Sequence, residues 1–377
     1  MPSHDVIVAG IGAMGSAAAW HLARRGQRVL GLERFDIPHA MGSSHGINRI
    51  IRLAYFEHPL YVPLLRRAYE LWRETERAFG EQLLHITGGI DAGPEDGRVV
   101  SGSLRACREH GLPHELIDAK ELSRRHPAYR LPAGHVANWQ ADAGFVMSER
   151  AIVAHAAMAM AAGAEIRGRE AITGWQPTPG GGVRVTTTRG TYEAGRLILS
   201  TGAWIGDHVP ALTRFAVPER QVLGWFQPKN PAHFAPDRFP VSIVETARGT
   251  CYQFPIFGVP GFKIGLYNHL RQSGHADALS REPTDEDEDA LRAVMREAFP
   301  DADGPTLALR TCMFTNTPDE HFVVDTLPDH PQVIVASPCS GHGFKFASVM
   351  GEVLADLAAS GSTRHDLSLF RLARFAS

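Results

Sequence analysis

Residues 5–33 read DVIVAGIGAMGSAAAWHLARRGQRVLGLE, and this stretch decides the fold. A short apolar run ends at Gly10, an alanine-rich segment ends at Gly26, and a second apolar run ends at Glu33. Short apolar runs bounded by glycine are typical of buried strands, and the segment between them has the length of a helix. The stretch therefore predicts a βαβ unit, in which a tight turn joins the first strand to the helix.

The turn of this βαβ unit contains three glycines, Gly10, Gly12 and Gly15. In a dinucleotide-binding turn the first allows the bend, the second lets the backbone approach a pyrophosphate, and the third allows close packing of helix and strand. The pyrophosphate lies at the helix N-terminus, where free N–H groups favour negative charge. Glu33 stands where a ribose-binding carboxylate is expected, and it repels a 2′-phosphate. The unit therefore favours FAD or NAD over NADP.

The rest of the chain predicts two interleaved domains. A strand at Val333–Ala336, a glycine-rich loop and a helix repeat the opening pattern near the C-terminus, whereas residues 205–310 contain several strand-like runs. We therefore expect an α/β (α+β) fold with a Rossmann-like nucleotide-binding domain and an interleaved antiparallel-sheet substrate domain. The expected nucleotide-binding segments are 1–87, 145–215 and 311–377, and the expected substrate-domain segments are 88–144 and 216–310.

Composition and charge exclude several classes of function. The 377 residues include 38 Lys+Arg and 41 Asp+Glu, so the net charge of −3 provides no basic field for nucleic acid. The four cysteines form no CxxC pair, which argues against a zinc site and favours a reducing compartment. The most apolar long stretch, residues 151–164, is too short to cross a bilayer. We expect a cytoplasmic enzyme without a metal, nucleic-acid or membrane partner.

A cluster of cations follows the βαβ unit. Apolar residues recur every three to four positions within residues 45–80, which predicts a helix. On such a helix His45, Arg49 and Arg52 lie on one face, beside the apolar Ile50. This face is either an anion-binding site or a solvated surface, and the spacing alone does not choose between them.

Three further residues have two interpretations on their local sequence. Cys312 lies in a strand-like run, where a cysteine is usually a small buried hydrophobe. Lys345 lies in the glycine-rich loop, where a lysine is usually solvated. Lys263 interrupts an apolar run, so its side chain points either to the surface or into a cavity, where desolvation would lower its pKa.

Taken in order, seven segments resemble the flavin-dependent amine oxidases that include monomeric sarcosine oxidases, N-methyltryptophan oxidases and pipecolate oxidases. The resemblance runs over nearly the whole chain, and the ordered set is specific even though each segment alone is not. The segments are Gly10–Gly15, Leu32–Asp36, Gly42–Gly46, Arg49–Arg52, Ser200–Trp204, Cys312–His321 and Ser340–Phe346.

The resemblance implies FAD as cofactor and assigns residues to it. Cys312 resembles the cysteine whose sulfur is joined to the 8-methyl group of FAD, and a cationic neighbourhood would favour the reactive thiolate. His45 and Arg49 match catalytic residues packed against the flavin ring, where positive charge stabilises the anionic reduced flavin. The remaining residues assigned to FAD are Gly10, Gly12, Gly15, Glu33, Arg34, Ser43, Ser44, Gly341, Gly343, Phe344 and Lys345.

The same resemblance assigns the substrate side. Arg52 and Lys345 match the pair that binds the substrate carboxylate, a task suited to a planar fork and a point charge. Lys263 matches a lysine that assists the reaction with oxygen, since a cation lowers the cost of forming superoxide. Tyr252 matches an active-site tyrosine. His269 is assigned to the substrate pocket, with Tyr267 remaining as the alternative.

The implied function is oxidation of the C–N bond of a secondary amino acid, either N-methylated or cyclic. The imine product would hydrolyse to an amine and an aldehyde, and oxygen would be reduced to hydrogen peroxide. The expected partners are the amino acid and O2, and the expected state is a monomer. The alternatives are a nicotinamide-dependent dehydrogenase, a flavin dehydrogenase that uses another electron acceptor, and a non-catalytic nucleotide-binding protein.

Overall fold

The computed structural model describes residues 4–338 and 340–375, so residues 1–3, 339 and 376–377 of the expected domains lie outside the described part. The strands are β1 (His4–Ala9), β2 (Val29–Leu32), β3 (Asn48–Ile51), β4 (Leu84–Ile86), β5 (Gly89–Pro94), β6 (Glu115–Asp118), β7 (His135–Gln140), β8 (Gly144–Met147), β9 (Glu165–Arg167), β10 (Ile172–Pro177), β11 (Val183–Thr187), β12 (Thr191–Leu199), β13 (Val217–Phe226), β14 (Val241–Thr246), β15 (Gly249–Phe254), β16 (Phe262–Leu266), β17 (Thr306–Asn316), β18 (Val323–Leu327) and β19 (His330–Ser337). The α-helices are α1 (Ala13–Ala23), α2 (Val62–Phe79), α3 (Arg98–His110), α4 (Ala119–Arg125), α5 (Ser148–Ala161), α6 (Ile205–His208), α7 (Asp285–Ala298) and α8 (Ala347–Ser360).

The first sheet is the predicted Rossmann-like core. Its parallel strands run in the order β19-β12-β1-β2-β9, and antiparallel partners extend it through β10, β11 and β18. Helix α1 packs against both α5 and α8, and together they cover one face of the sheet. Because β12 and β19 come from distant parts of the chain, the nucleotide-binding domain closes only with its C-terminal segment.

The glycine turn after β1 is as tight as its sequence requires. Gly10 has a φ of +89°, in the left-handed region that favours glycine. A Cβ on Gly15 would lie 1.7 Å from the carbonyl oxygen of Gly10, a distance that no side chain tolerates. Substituting either glycine would therefore push α1 away from β1 and change the position of the helix N-terminus.

The second sheet runs in the order β17-β13-β16-β15-β14-β5-β7-β6. Its neighbours are antiparallel except for β14 and β5, which pair in parallel, so the expected antiparallel sheet is mixed at this point. Helix α7 packs on one face, where its Leu291, Val294 and Met295 join a core with Val222 and Ile264 of the sheet. The other face of the sheet points toward the nucleotide-binding domain and supplies several of the residues discussed below.

The prediction of a helix over residues 45–80 is wrong for the first part of that range. Asn48–Ile51 is strand β3, which pairs antiparallel with β8 in a small sheet that also contains β4, and the helix begins only at Val62. The β-branched residues Ile50 and Ile51 favour a strand. Pairing with a neighbouring strand therefore outweighs the helix-like spacing of the side chains. His45, Arg49 and Arg52 therefore do not form one helical stripe.

The expected boundary at residues 310 and 311 falls inside β17. This strand pairs with β13 over its whole length, from Thr306 opposite Phe226 to Asn316 opposite Val217. The second sheet therefore continues to Asn316, and Cys312 belongs to it. Within residues 4–338 and 340–375, every helix is too short or too polar to span a lipid bilayer.

Candidate active site

A cavity of about 440 Å³ extends from the glycine turn toward the second sheet. Its walls come from the turn after β1, the end of β2, the loop before β3, and the loops after β12 and β19. Gly15 packs beneath the turn and Lys345 lies in an adjoining cavity. The other predicted cofactor residues that line the large cavity are Gly10, Gly12, Glu33, Arg34, Ser43, Ser44, Gly341, Gly343 and Phe344.

Glu33 is fixed at the end of β2. One carboxylate oxygen accepts a hydrogen bond from the backbone N–H of Ile11 at 2.8 Å, and the other accepts from the N–H of Phe35 at 3.0 Å. Burial raises the pKa of this carboxyl group, and the backbone donors oppose the rise. The carboxylate is thus held on the cavity wall in the position that the βαβ pattern predicts for a ribose partner.

Cys312 lies on β17, in contact with the cation of Arg49. The Nη2 of Arg49 is 3.4 Å from the Cys312 sulfur and also donates to the carbonyl oxygen of Ser43. Burial raises the pKa of the thiol, but Arg49 and the adjacent His45 outweigh this and lower it to about 7. A substantial fraction of Cys312 is therefore thiolate at neutral pH, which is the nucleophilic form.

The register of the second sheet brings the predicted residues to one face. Trp225 of β13 lies opposite Lys263 of β16, which lies opposite Phe254 of β15. Residues opposite each other in neighbouring strands point to the same side of a sheet, and so do residues two apart in one strand. Tyr252 therefore shares this face, and Cys312 packs against Trp225 on the same side.

Lys263 is completely buried between aromatic rings. Its Nζ lies 4.0 Å from the ring centre of Phe254 and donates hydrogen bonds to the carbonyl oxygens of Gly46 and Asn48 and to Oδ1 of Asn48, at 2.7–2.8 Å. Burial lowers the pKa of Lys263 well below its usual value, and nearby Arg49 lowers it further. Lys263 is therefore buried rather than at the surface, but within the described part of the chain it lines neither the large cavity nor the small one beside it.

A second, small cavity of about 30 Å³ adjoins the large one. Arg49, Phe314, Gly341 and Phe344 line both cavities and form the wall between them. Aromatic and aliphatic side chains dominate the rest of its wall, and Lys345 places a basic group in it. The residues that line only the small cavity are Ile50, Ile243, Tyr252, Phe254, Tyr267, His342 and Lys345.

Lys345 is fixed by the glycine-rich loop. It lies in the 3-10 turn Phe344–Phe346, and its Nζ donates a hydrogen bond of 2.9 Å to the carbonyl oxygen of His342. Burial lowers the pKa of Lys345 to about 7, and Glu57 opposes that effect. An anion that enters the small cavity would stabilise the charged ammonium.

Arg52 is buried beside the small cavity, but among the described residues it is not in the cavity wall. Its Nη2 donates to the Glu57 carboxylate at 2.9 Å, and its Nε lies 3.6 Å from Oδ1 of Asp91. Its guanidinium also lies over the ring of Phe56, 4.6 Å from the ring centre. A substrate carboxylate would therefore have to compete with Glu57 for Arg52.

The assignment of His269 to the substrate pocket is not supported by its position. Its Nε2 is 2.9 Å from the Asp287 carboxylate, which also accepts two hydrogen bonds of 2.7 Å from Arg220. This buried cluster ties β13 to the N-terminus of α7, outside the described wall of the small cavity. Tyr267, the alternative, does line that cavity.

The sequence analysis missed two buried carboxylates, Glu57 and Asp91, and the cavity residue His342. Glu57 follows Tyr55-Phe56 and Asp91 interrupts the run Gly89-Ile90-Asp91-Ala92, so an acid within an apolar segment was the available signal. Such acids are buried only when paired, which points to a cation nearby.

Both the fold and the cavities place the chain in one class of enzyme. The family of FAD dependent oxidoreductases matches residues 5–357, which is most of the chain, and the chain belongs to this family. The Rossmann-like core and the cavity at its glycine turn are the features expected of a protein that binds FAD.

Relatives within this class are similar over the full length. The chain is 44% identical to the monomeric sarcosine oxidase of Streptomyces avermitilis, covering 100% of this chain and 99% of that protein. It is 35% identical to the N-methyl-L-tryptophan oxidase of Salmonella arizonae, with 99% of each chain covered. Among solved structures, NikD, an amino acid oxidase essential for nikkomycin biosynthesis, has a TM-score of 0.84 at 27% identity, with 98% of each chain covered.

The residues of the large cavity fit FAD chemically. The glycine turn and the free N-terminus of α1 offer N–H groups for a pyrophosphate, and Glu33 offers acceptors for a ribose. Neither His45 nor Cys312 is among the residues that line this cavity, but His45 directly follows the lining residues Ser43 and Ser44, and its buried Nε2 has no hydrogen-bond partner among the described residues. Arg49 and the Cys312 thiol lie beside it.

Proposed function

We propose that this protein oxidises the C–N bond of a small secondary amino acid and uses O2 as the electron acceptor. The observation that carries the proposal is the wall shared by the two cavities, formed by Arg49, Phe314, Gly341 and Phe344. A substrate in the small cavity would meet the cofactor at this wall. The full-length similarity to oxidases of N-methyl amino acids supports the same reaction.

When bound, FAD supplies the redox chemistry, accepting two electrons from the amino acid and passing them to oxygen. The protein's own contribution is to bind and orient the two molecules. Gly10, Gly12 and the N-terminus of α1 would hold the pyrophosphate and Glu33 the adenosine ribose. Arg49 and His45 would place positive charge where the reduced cofactor becomes anionic. Lys263, which is buried between Trp225 and Phe254, would favour the reaction with oxygen when protonated.

The Cys312 sulfur would form a covalent bond with the 8-methyl carbon of FAD. This attachment replaces one methyl hydrogen and the thiol hydrogen, so two electrons and two protons are released, and O2 accepts them. The lowered pKa of the thiol and the contact with Arg49 support this role. Attachment would link β17 of the second sheet to a cofactor held by the first.

Replacing Cys312 with Ala tests the attachment. After acid precipitation, flavin should stay in the pellet of the unmodified protein and move to the supernatant for Cys312→Ala. Cys251→Ala, at another buried cysteine of the second sheet, is the matched control and should retain flavin in the pellet. Release of all flavin from the unmodified protein would contradict the covalent bond while leaving FAD as the cofactor.

The substrate carboxylate would bind between Arg52 and Lys345. Lys345 is in the cavity wall, and Arg52 lies behind it with Glu57 as its present partner. The planar guanidinium of Arg52 and the ammonium group of Lys345 can both donate charge-assisted hydrogen bonds to a carboxylate. Holding that end of the molecule fixes the position of the carbon next to nitrogen, which is a large part of catalysis by positioning.

The dimensions of the small cavity favour a small substrate. A space of about 30 Å³ is near what two or three water molecules need, and rings line much of it. Sarcosine, the smallest of the candidate substrates, would need the least widening of this space, a cyclic amino acid would need more, and an N-methyl amino acid with a large side chain would need the most. Tyr252, Phe254 and Tyr267, together with Phe314 and Phe344 of the shared wall, form the aromatic part of the wall that sets this limit.

Anaerobic reduction tests the reaction and the order of substrates. Sarcosine, L-pipecolate and N-methyl-L-tryptophan are added separately, and bleaching of the visible flavin absorbance is recorded. Sarcosine should bleach it fastest, and admitting oxygen should restore the colour with release of hydrogen peroxide. Absence of bleaching by all three would contradict the proposed substrate class, and slow recovery in oxygen would favour a dehydrogenase with another acceptor.

A further inference from the structure

Asp91 is a buried carboxyl group without an assigned role, close to the substrate cavity. It lies on β5 opposite Ile243 of β14, and Ile243 in turn lies opposite Tyr252. Since opposite residues share a face of the sheet, Asp91 points to the same side as two residues of the small cavity wall. Asp91 is 1% exposed.

The contacts of Asp91 leave it weakly held in its charged form. Its Oδ1 is 3.6 Å from Nε of Arg52, and among the described residues neither atom has a hydrogen-bond partner. Its Oδ2 accepts one long hydrogen bond, of 3.3 Å, from Gln140. Glu57 differs, because both of its oxygens accept hydrogen bonds from Arg52.

The charged and titratable groups around Asp91 are nearly balanced. With Arg52 and Lys345 charged, two cations face the two carboxylates of Glu57 and Asp91. A substrate carboxylate adds one negative charge to this buried group, where it cannot be screened by water. The groups that face Asp91 from the neighbouring elements are Arg52, Glu57, Lys345, Tyr267 and Cys107.

We propose that Asp91 takes up a proton from solvent when the carboxylate of the substrate binds, and that this keeps the buried charge cluster neutral. Asp91 is then a charge-balancing residue that acts through Arg52 and makes substrate affinity depend on pH. This inference rests on the proposed function, because it requires an anionic substrate at Arg52 and Lys345.

Asp91 fits this role better than its neighbours. Burial and Glu57 raise the pKa of Asp91 to about 7 against the effect of Arg52, so it changes charge near neutrality. Arg52 holds the pKa of Glu57 below its usual value despite burial, so Glu57 stays ionised. Burial raises the pKa values of Tyr267 and Cys107, which remain neutral. Lys345 also titrates near 7, so a test must separate it from Asp91.

The experiment is calorimetric titration of the holoenzyme with methoxyacetate, in buffers with different ionisation enthalpies. Methoxyacetate is sarcosine with an ether oxygen in place of the amine, so it has the carboxylate but no oxidisable C–N bond. At about pH 8 the unmodified protein should take up protons on binding, and Asp91→Asn should take up about one fewer. The Kd of Asp91→Asn for methoxyacetate should therefore depend less on pH than that of the unmodified protein. The difference in this dependence should be up to about tenfold in Kd per pH unit.

Glu245→Gln is the matched control, a carboxyl-to-amide change on β14 in the same sheet. Glu245 accepts its hydrogen bond from Val99 rather than from the charge cluster, so proton uptake should equal that of the unmodified protein. If Asp91→Asn takes up as many protons as the unmodified protein, the proposed role of Asp91 is wrong, while the carboxylate site itself is unaffected. Failure of methoxyacetate to bind any of these proteins would overturn the carboxylate site, and with it this inference.

A second measurement needs no variant and covers the case in which Asp91→Asn does not fold. Infrared difference spectra of the unmodified holoenzyme, recorded as methoxyacetate is added, report the C=O stretch of a protonated carboxyl group. A new band of this kind is expected, with loss of an ionised carboxylate band. Binding without such a band would overturn the inference.

Discussion

Arg52 donates hydrogen bonds to the Glu57 carboxylate and lies 3.6 Å from that of Asp91, and its removal tests the substrate site directly. Arg52→Ala should raise KM for sarcosine by about tenfold or more, because a charged hydrogen bond contributes ~1.5–3 kcal/mol. Steady-state kinetics check this. Arg66→Ala, an exposed arginine on α2, is the control and should leave KM unchanged. An unchanged KM in Arg52→Ala would remove Arg52 from carboxylate binding.

Arg52→Lys separates charge from geometry at the same position. Alanine leaves Glu57 and Asp91 buried without their cation, which costs about 3–5 kcal/mol of stability, whereas lysine retains the charge. The lysine variant should fold normally but still have a raised KM, because it lacks the planar fork. A far-ultraviolet circular dichroism melt alongside the kinetics distinguishes lost binding from lost folding.

Single residues were predictable where a motif fixes their geometry. The glycines of the turn and Glu33 are examples, because the strand, helix and acid all had to be in register. Asp91 and Glu57 were not, because an acid in an apolar run has the same local sequence whether it faces a cation or a turn. His269 was misassigned for a related reason, since its partner Asp287 comes from another element.

At the scale of elements, α7 is joined to β13 by one buried carboxylate. Asp287 caps the helix with Thr284 and binds Arg220 and His269. Asp287→Asn should lower the free energy of unfolding by about 3–5 kcal/mol, because Arg220 then lies buried without its anion. Urea unfolding at neutral pH measures this. Asp289→Asn, an exposed acid on the same helix, should change stability by no more than about 0.5 kcal/mol.

The same carboxylate makes stability depend on pH in a defined direction. Burial raises the pKa of Asp287, but Arg220 and Thr284 outweigh this and hold it well below its usual value. The stabilisation is therefore present above the unfolded-state pKa of about 4 and is lost as the pH falls toward the folded-state value. Urea midpoints below about pH 4 should fall more steeply for the unmodified protein than for Asp287→Asn.

Helices and strands with one clear spacing of apolar residues were predicted well. Elements whose structure depends on pairing with distant strands were not. The βαβ unit has short apolar strands and a glycine-bounded helix, so local pattern and tertiary pairing agree. The spacing of cations from His45 to Arg52 is that of a helix, but Asn48–Ile51 forms a strand because it pairs antiparallel with β8. The parallel pairing of β5 with β14 could not be predicted from the sequence either, because it depends on the path of the chain between these two strands.

For the molecule as a whole, we expect a monomer. Among the described residues the exposed large hydrophobic side chains are scattered, and they include Leu60, Ile86 and Met160. Sedimentation equilibrium of the holoenzyme should give a mass close to 41.1 kDa at micromolar concentration. A stable dimer mass would contradict this expectation. The cytoplasmic location stays a prediction from the cysteine usage.

The order of strands in the first sheet also determines when the protein can acquire its cofactor during synthesis. The sheet brings together β1, β12 and β19, and α8 packs on α1, so elements that are more than 300 residues apart in sequence are neighbours. A nascent chain that stops before β19 still lacks one edge of the nucleotide-binding sheet. We therefore expect the nucleotide-binding cavity to be complete only after β19 and α8 have been synthesised, and until then β12 lacks its backbone hydrogen-bond partners from β19.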